Sequence, residues 1–358
     1  MNLVDQTVRK LENGEPIGLD EARALYGNMD LLTLGQLAHM VRARLNGASQ
    51  VTFAIDRNIN YTNICVSGCR FCAFFRNRDH EQAYVIDDKT LEKKVIETRE
   101  LGGTHILFQG GLNPDLDLDW HKEKISMIRA LGLNVHGYSP PEIIFFSNSW
   151  NMTVTEVLEE LIKAGLSSIP GGGAEILSDR ARQIVSPRKA TTMQWLHVME
   201  VAHKLGLKTT ATMMFGHVET VEERLEHLFL IRELQDKTGG FTSFIPWTYQ
   251  MGEQTIQVPK TGTNSYLRIL AISRIVLNNV PHIQASWVTQ GPHVAQVALH
   301  FGADDFGSSM IEENVVSAAG TSYLLPPEEI IALAKEAGFK AHQRDNVYNK
   351  AAREQEIP

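Results

Sequence analysis

A parallel (β/α)8 barrel of the TIM type with an N-terminal helical extension is the fold this sequence predicts, and three observations carry the prediction. A strand-like run followed by a helix-like run recurs eight times along most of the 358 residues. Several of the strand-like runs are near-continuous in apolar and small residues, as strands covered on both faces are. Each is followed by polar or glycine-rich residues, and in such barrels the loops after the strands build the active rim.

The elements follow in order. Residues 2–47 read as helical, because Leu31, Leu34, Leu37, Ala38, Val41 and Leu45 fall mostly at three- or four-residue spacing and Gly47 stops the pattern. This extension is expected to occupy 1–48 and the barrel 49–358. "VTFAI" (51–55) is expected as an added strand at the barrel floor. The barrel strands are expected at "INYTNIC" (59–65), "THILFQ" (104–109), "NVHG" (134–137) and "SSI" (167–169). They continue at "TTATMMF" (209–215), "FTSFI" (241–245), "HIQAS" (282–286) and "ADDFG" (303–307). Helices are expected near 87–101, 119–131, 191–204, 263–279, 290–301 and 326–337. Two more carry explicit punctuation: Thr153 with Glu156, and Thr220 with Glu223, stand at capping-box spacing, and Gly165 and Gly239 close the helices they open.

Composition narrows the function. With 43% hydrophobic and 21% charged residues the chain reads as an ordinary globular protein. A net charge of −8 and the lack of a basic tract argue against nucleic acid as a partner. The apolar runs are too short for a membrane span, and the N-terminus shows no signal-peptide core, so a cytoplasmic enzyme is expected.

The three cysteines of the chain, Cys65, Cys69 and Cys72, all lie within "NYTNICVSGCRFCAFF". An odd cluster is not a disulfide framework. A structural zinc site needs four ligands, for which His80 is the available fourth. A four-iron cluster normally takes four cysteines, and three leave one iron open to a small molecule, as catalytic metal sites are. Both readings stand on spacing alone. Gln109-Gly110-Gly111 and Glu175, which follow the second and fourth strands, read equally as a turn leading into a helix and as a helix cap.

Cys-x3-Cys-x2-Cys after the first strand of a β/α barrel, with Phe71 before the last cysteine, resembles the radical S-adenosylmethionine superfamily. The resemblance implies a [4Fe-4S] cluster on Cys65, Cys69 and Cys72, whose open iron binds S-adenosylmethionine and releases a 5′-deoxyadenosyl radical from it. It implies that Gln109, Gly110 and Gly111 hold the methionine amino group, that Glu175 contacts ribose or methionine, and that Phe71, Phe215 and Gly216 border the adenine. The motifs "LFQGGLNPDL", "GLSSIPGGGAEIL", "TATMMFGHVET" and "IQASWVTQGP" extend the likeness to the branch of that superfamily that works on futalosines and deazaflavin precursors. In "VHGYSPPEI" Tyr138 stands where a small polar residue is expected. Within that branch the implied reaction is cyclisation of dehypoxanthine futalosine on the way to menaquinone. In it the radical takes the ribose C4′ hydrogen, the sugar carbon adds to the benzoate ring, and loss of a proton and an electron restores aromaticity. Aminofutalosine synthase and the two halves of deazaflavin synthase are the sibling activities. A low-potential electron donor such as flavodoxin or ferredoxin is implied too.

For the proton acceptor the candidates are His217 and Glu219, then Asp305, Glu312 and Glu313. For the substrate carboxylate they are Arg76, Arg78, Arg188 and Lys189, and for stacking on the benzoate Trp247 and Trp287.

Overall fold

The computed structural model describes residues 2–253, 255–320 and 325–351; the expected end of the barrel region, 352–358, lies outside them. Three helices come first: α1 (Leu3–Glu12), α2 (Leu19–Asn28) and α3 (Leu31–Asn46). The barrel follows as β1 (Gln50–Ala54), β2 (Asp56–Asn60), α4 (Asp88–Glu100), β3 (His105–Gln109), α5 (Leu118–Ala130), β4 (Asn134–Gly137), α6 (Pro140–Trp150), α7 (Val154–Ala164) and β5 (Leu166–Ile169). It continues with α8 (Asp179–Val185), α9 (Thr192–Lys204), β6 (Lys208–Phe215), α10 (Val221–Thr238), β7 (Phe241–Thr248), α11 (Thr263–Val276) and β8 (His282–Ile283). The last elements are α12 (Trp287–Gln290), α13 (Pro292–Ala298), β9 (Asp305–Ser308), α14 (Pro327–Glu336) and β10 (Lys340–Gln343).

Strands β2 to β8 form one curled, all-parallel sheet in sequence order, and β10, β1 and β9 form a second, three-stranded one. The two are joined where Ala285 N–H donates to Asp305 O and Asp304 N–H to Ile283 O at β9, and where Ile311 N–H, past the end of β9, donates to Asp56 O of β2. The strands alternate between two environments. In β3, Ile106 and Phe108 are wholly buried beneath the helices, while His105, Leu107 and Gln109 line the interior of the barrel. The helices are punctuated as their sequences predict: Thr153 and Thr220 cap α7 and α10 reciprocally with Glu156 and Glu223.

The differences from expectation have local causes. Strand "INYTNIC" starts earlier and ends at Asn60, because the backbone beyond it bonds to its own loop, with Cys65 N–H donating to Arg76 O and Ile86 N–H to Tyr61 O. Its real start, "DRNIN", is polar but buried along its whole length, a pattern that reads poorly as a barrel strand. The seventh strand shrinks to His282–Ile283 because β9 takes over the bonding of the residues that follow. The eighth, moved to Asp305–Ser308, pairs with β1 and meets the main sheet through a parallel bridge between Gln284 and Asp305. The helix expected at 290–301 breaks at Gly291-Pro292. Helices α6 and α8 and strand β10 were not foreseen.

Arg42 of α3 ties the helical extension to the floor. Wholly buried, it donates to the carbonyls of Ala303 at 2.8 Å, Gly47 and Ala48 at 3.2 Å and Gln50 at 2.5 Å. Arg42→Leu strands these acceptors and is expected to lower stability by roughly 3 kcal/mol, read as a shift of the urea midpoint.

Candidate functional site

The site is built where the first barrel strand stops. The segment carrying the cysteines is closed on itself by Arg76, whose N–H donates to Asn63 O at 2.8 Å and whose guanidinium donates to Ala73 O at 3.0 Å, Phe75 O at 2.9 Å and Gln82 Oε1 at 3.0 Å. Cys72 N–H donates to Cys69 O at 3.1 Å, and Cys69 Sγ lies 3.2 Å from Ser67 Oγ. All three thiols are free. Burial pushes the Cys69 and Cys72 thiols up, and the Lys189 ammonium works against it at both. His80, which a zinc reading would enlist, is exposed, and its Nδ1 accepts the Gln82 N–H at 3.0 Å. Among the described residues no group of three or more His, Cys, Asp or Glu forms a ready-made metal site. The soft donors on this loop are three cysteine thiols, a set that as thiolates would suit an iron–sulfur cluster better than a closed zinc site.

The glycine pair is pressed directly against this loop. Gly111 N–H donates to Thr62 O at 2.9 Å, and a Cβ on Gly111 would lie 2.1 Å from Ile64 O and 2.9 Å from the Cys65 Cβ. A Cβ on Gly110 would meet the Tyr61 ring at 2.6 Å. Only glycine lets the turn sit this close. Beneath it lies a residue that the sequence places after the third strand but to which it assigns no role: Glu142, buried at the start of α6. One carboxylate oxygen accepts from Gly110 N–H at 3.1 Å and Tyr61 Oη at 2.7 Å, and the other from Ser139 N–H at 2.7 Å and Ser139 Oγ at 2.6 Å. Burial raises its carboxyl despite these four donors. The "SPPE" spacing, a capping box, was the available signal.

On the opposite side Glu175, at a positive φ of 42°, is buried and paired with Lys189 at 2.8 Å and Arg182 at 3.4 Å. Burial alone would raise its carboxyl, but Lys189 and Arg182 outweigh it and hold it below the usual carboxylate range. The Lys189 ammonium also lies 5.1 Å from the centre of the Phe71 ring, so Phe71, Lys189 and Glu175 form one group beside the cysteine loop. Phe215 is wholly buried at the end of β6, and Gly216 N–H donates to Glu219 Oε1 at 2.6 Å.

The candidate proton acceptors all have partners. His217 accepts Val218 N–H on Nδ1 at 2.8 Å and donates from Nε2 to Met214 O at 3.0 Å. Glu219 is paired with Arg224 at 2.6 Å and takes the Gly216 and His217 N–H groups. Asp305 is held bidentately by Arg344, at 2.5 and 2.8 Å, in the lower wall of the barrel. Glu312 pairs with Lys94, and Glu313 caps the backbone from Val315 to Ser317. Of the four cations, Arg76 is committed to its loop, Arg78 pairs with Asp115 at 3.1 Å, and Arg188 donates to Ser67 O at 3.0 Å. Trp287 is buried with its indole N–H on Ser308 O at 2.9 Å, whereas Trp247 is half-buried on β7.

Inside the barrel is a cavity of about 190 Å³ that runs from Gln109, Gly171 and Gly172 at the rim to Asp56, His105 and His136 below. Of these, Asp56, His105 and His136 were not singled out from the sequence, although Asp56, Asn58 and Asn60 in β2 and His105, Leu107 and Gln109 in β3 stand at the two-residue spacing that puts them on one face.

Comparison with known proteins places this geometry. Residues 59–231 match the Radical SAM superfamily and residues 238–357 the CofH/MqnC C-terminal region. The chain is 43% identical over 348 residues to a Halalkalibacterium halodurans protein named cyclic dehypoxanthine futalosine synthase, across 96% of this chain and 94% of that one. It is 41% identical over 321 residues to an Archaeoglobus fulgidus protein named 5-amino-6-(D-ribitylamino)uracil–L-tyrosine 4-hydroxyphenyl transferase, across 88% and 92%. The crystal structure of methylornithine synthase (PylB) matches in fold with a TM-score of 0.72 at 16% identity, covering 94% of this chain and 97% of that one.

Two outcomes follow. Gly111→Ala is expected to leave the protein folded by circular dichroism, yet to lower the iron and sulfide retained after anaerobic reconstitution, because the new Cβ displaces the Ile64–Cys65 backbone. Lys189→Met removes the main partner of Glu175. Stability that Glu175 lends above the carboxylate range, and loses as pH falls through its depressed value, is then lost at higher pH. The acid-unfolding midpoint is expected to move upward relative to the unchanged protein.

Proposed function

Because the chain belongs to the radical S-adenosylmethionine superfamily, in the group that carries a CofH/MqnC C-terminal region, we propose that it closes a carbon–carbon bond in dehypoxanthine futalosine to give cyclic dehypoxanthine futalosine, a step toward menaquinone. The observation that carries this reading is the 43% identity, over nearly the full length of both chains, to a protein named for that product. In this reading Cys65, Cys69 and Cys72 hold a [4Fe-4S] cluster. With S-adenosylmethionine bound and an electron from a donor such as flavodoxin or ferredoxin, the cluster supplies a 5′-deoxyadenosyl radical to abstract the C4′ hydrogen.

The work of this chain's own residues is placement and exclusion of water. The Gly110–Gly111 turn offers bare backbone to the methionine end of S-adenosylmethionine, and Glu142 fixes that turn from below. Glu175 and Phe71 flank the nucleoside, with Lys189 neutralising Glu175. His217 and Glu219 serve as positioning residues for the Gly216 backbone beside the adenine rather than as proton acceptors, since the hydrogen bonds they make occupy them. Asp305 likewise anchors Arg344.

The 41% identity to the Archaeoglobus fulgidus transferase supports a second reading, transfer of a tyrosine-derived hydroxyphenyl group to a ribitylaminouracil. Product analysis separates the two. Anaerobic incubation of the reconstituted protein with S-adenosylmethionine and dehypoxanthine futalosine is expected to give 5′-deoxyadenosine and a product lighter than the substrate by two hydrogens, read by mass spectrometry. Consumption of tyrosine and the ribitylaminouracil, with dehypoxanthine futalosine untouched, would establish the second reading instead.

A further inference from the structure

The floor of the interior cavity is not made by the barrel strands alone. After β10 the chain crosses the lower mouth of the barrel, and Arg344, Asn346 and Tyr348 line the cavity from below. This strap is tightly seated. Gln343 donates to Gly102 O at 2.8 Å, and Tyr348 stacks on His282 with ring centres 4.0 Å apart and planes within 5°.

Within the strap, Asn346 is a link in a hydrogen-bonded chain whose direction is set at one end. The Arg129 guanidinium can only donate, and it donates to Asn134 Oδ1. The Asn134 amide nitrogen therefore faces Asn346 Oδ1, at 3.1 Å. This turns the Asn346 amide nitrogen toward Ser168 Oγ, at 2.6 Å. Ser168 is buried and now accepts, so its own hydrogen goes to its other near neighbour, His136 Nδ1, at 2.6 Å. Were His136 to donate instead, the Ser168 hydrogen would be buried without an acceptor. The imidazole is thereby fixed as the tautomer with its hydrogen on Nε2. Burial, helped by His105, pulls its pKa down to about 3, so the ring is neutral as well. Nε2 has no hydrogen-bond partner among the described residues, and His136 lines the cavity.

The other ionisable groups on this wall have near partners. Asp56 pairs with His105 at 3.0 Å and accepts from Ser308 Oγ at 2.6 Å, while Arg344 is neutralised by Asp305. No unpaired cation among the described lining residues could receive a carboxylate.

We propose that His136 is a substrate-binding residue, a neutral N–H donor held by the Arg129–Asn134–Asn346–Ser168 relay for an oxygen of a hydroxyl-bearing, sugar-derived group, and that the strap is part of the substrate site. The inference rests on reading the interior cavity as the substrate site. It deepens the proposed function without depending on which substrate is correct, because dehypoxanthine futalosine carries a ribose and the ribitylaminouracil a ribityl chain. The substrate's carboxylate belongs at the rim.

The test uses the anaerobically reconstituted protein, with dehypoxanthine futalosine and the ribitylaminouracil as separate probes in calorimetry. His136→Phe is expected to weaken binding about tenfold or more, raising KM with kcat largely kept, and His136→Asn, which retains an N–H donor, is expected to recover part of the loss. Asn346→Asp provides a nearly isosteric second variant. Its carboxylate cannot donate to Ser168, so the Ser168 hydrogen turns to it and His136 switches to the Nδ1–H tautomer. This is read as an exchange of the two nitrogen shifts in histidine-labelled ¹⁵N spectra, together with weaker binding. Unchanged affinity in His136→Phe, or an unshifted tautomer with unchanged affinity in Asn346→Asp, overturns the inference. If unchanged protein binds only the ribitylaminouracil, with the same dependence on His136, the cyclase reading fails and this one stands.

Discussion

The constraint on which this structure depends is that neighbouring residues of each barrel strand serve opposite environments. One must pack against helices and the next must face a polar interior. In β3 the outward Ile106 and Phe108 are wholly buried under apolar helix faces, and the inward His105 and Gln109 border a cavity. A slip of one residue would put His105 and Gln109 into the apolar layer without partners and Ile106 into the cavity, so the register is fixed by the cost of two simultaneous errors. With the register fixed, β2, β3 and β4 end at a common level: Asn60 pairs with Gln109, and Phe108 with Gly137. The cysteine loop, the glycine pair and the Ser139–Glu142 turn can therefore meet there.

That meeting is held by groups that do not themselves reach the chemistry. Glu142 takes four donors from three segments: the end of β2 through Tyr61, the turn after β3 through Gly110, and its own helix start through Ser139. A buried carboxylate with every partner satisfied rigidifies what surrounds it, because any movement of one segment leaves a donor or the charge unpaired. Arg76 does the same for the cysteine loop through backbone carbonyls. A loop that must gather three thiolates around one inorganic group gains from being ordered beforehand, since the entropy of ordering it is then not subtracted from the binding.

Much of this was legible in the sequence, unevenly. The helices with paired cap and stop signals, such as α7 between Thr153 and Gly165, were visible because their determinants are local. The cysteine spacing and the "QGG" turn were legible because covalent neighbours carry the chemistry. What stayed hidden depends on contacts between distant segments. Strand β2 is polar at Asp56, Arg57, Asn58 and Asn60, and two of these are completed by residues some tens to hundreds of positions away: Asp56 by His105 and Ser308, Arg57 by Glu97. Strand β10 and the strap after it could not be read as part of a site, since nothing local distinguishes Asn346 from a loop asparagine until Asn134 and Ser168 are brought to it. For His217, Glu219 and Asp305 the sequence offered only residue type and position after a strand, whereas their partners, Met214 O, Arg224 and Arg344, come from the folded chain.

The likeness to two differently named enzymes at 43% and 41% identity then has a physical reading. Nearly equal likeness along nearly full length means that overall identity does not separate the two named activities. A cavity whose wall offers a neutral N–H donor, paired charges and hydroxyls suits any polyol of the right size, so it sets orientation more than identity. Discrimination has to come from the part of the substrate that is not sugar, where a benzoate differs from a phenol in charge. A buried anion needs a cation or several N–H donors, whereas a phenol left facing an unneutralised cation loses little by comparison with the cation itself. The rim is where such a difference can be expressed, because there Arg188 contacts the cysteine loop at Ser67 O and Lys189 pairs with Glu175. Lys189 is spoken for by Glu175, but Arg188 spends its Nε on a single backbone carbonyl, that of Ser67. In the proposed reading, a difference between the sibling substrates would be expressed where this guanidinium and its near neighbours direct their remaining donors.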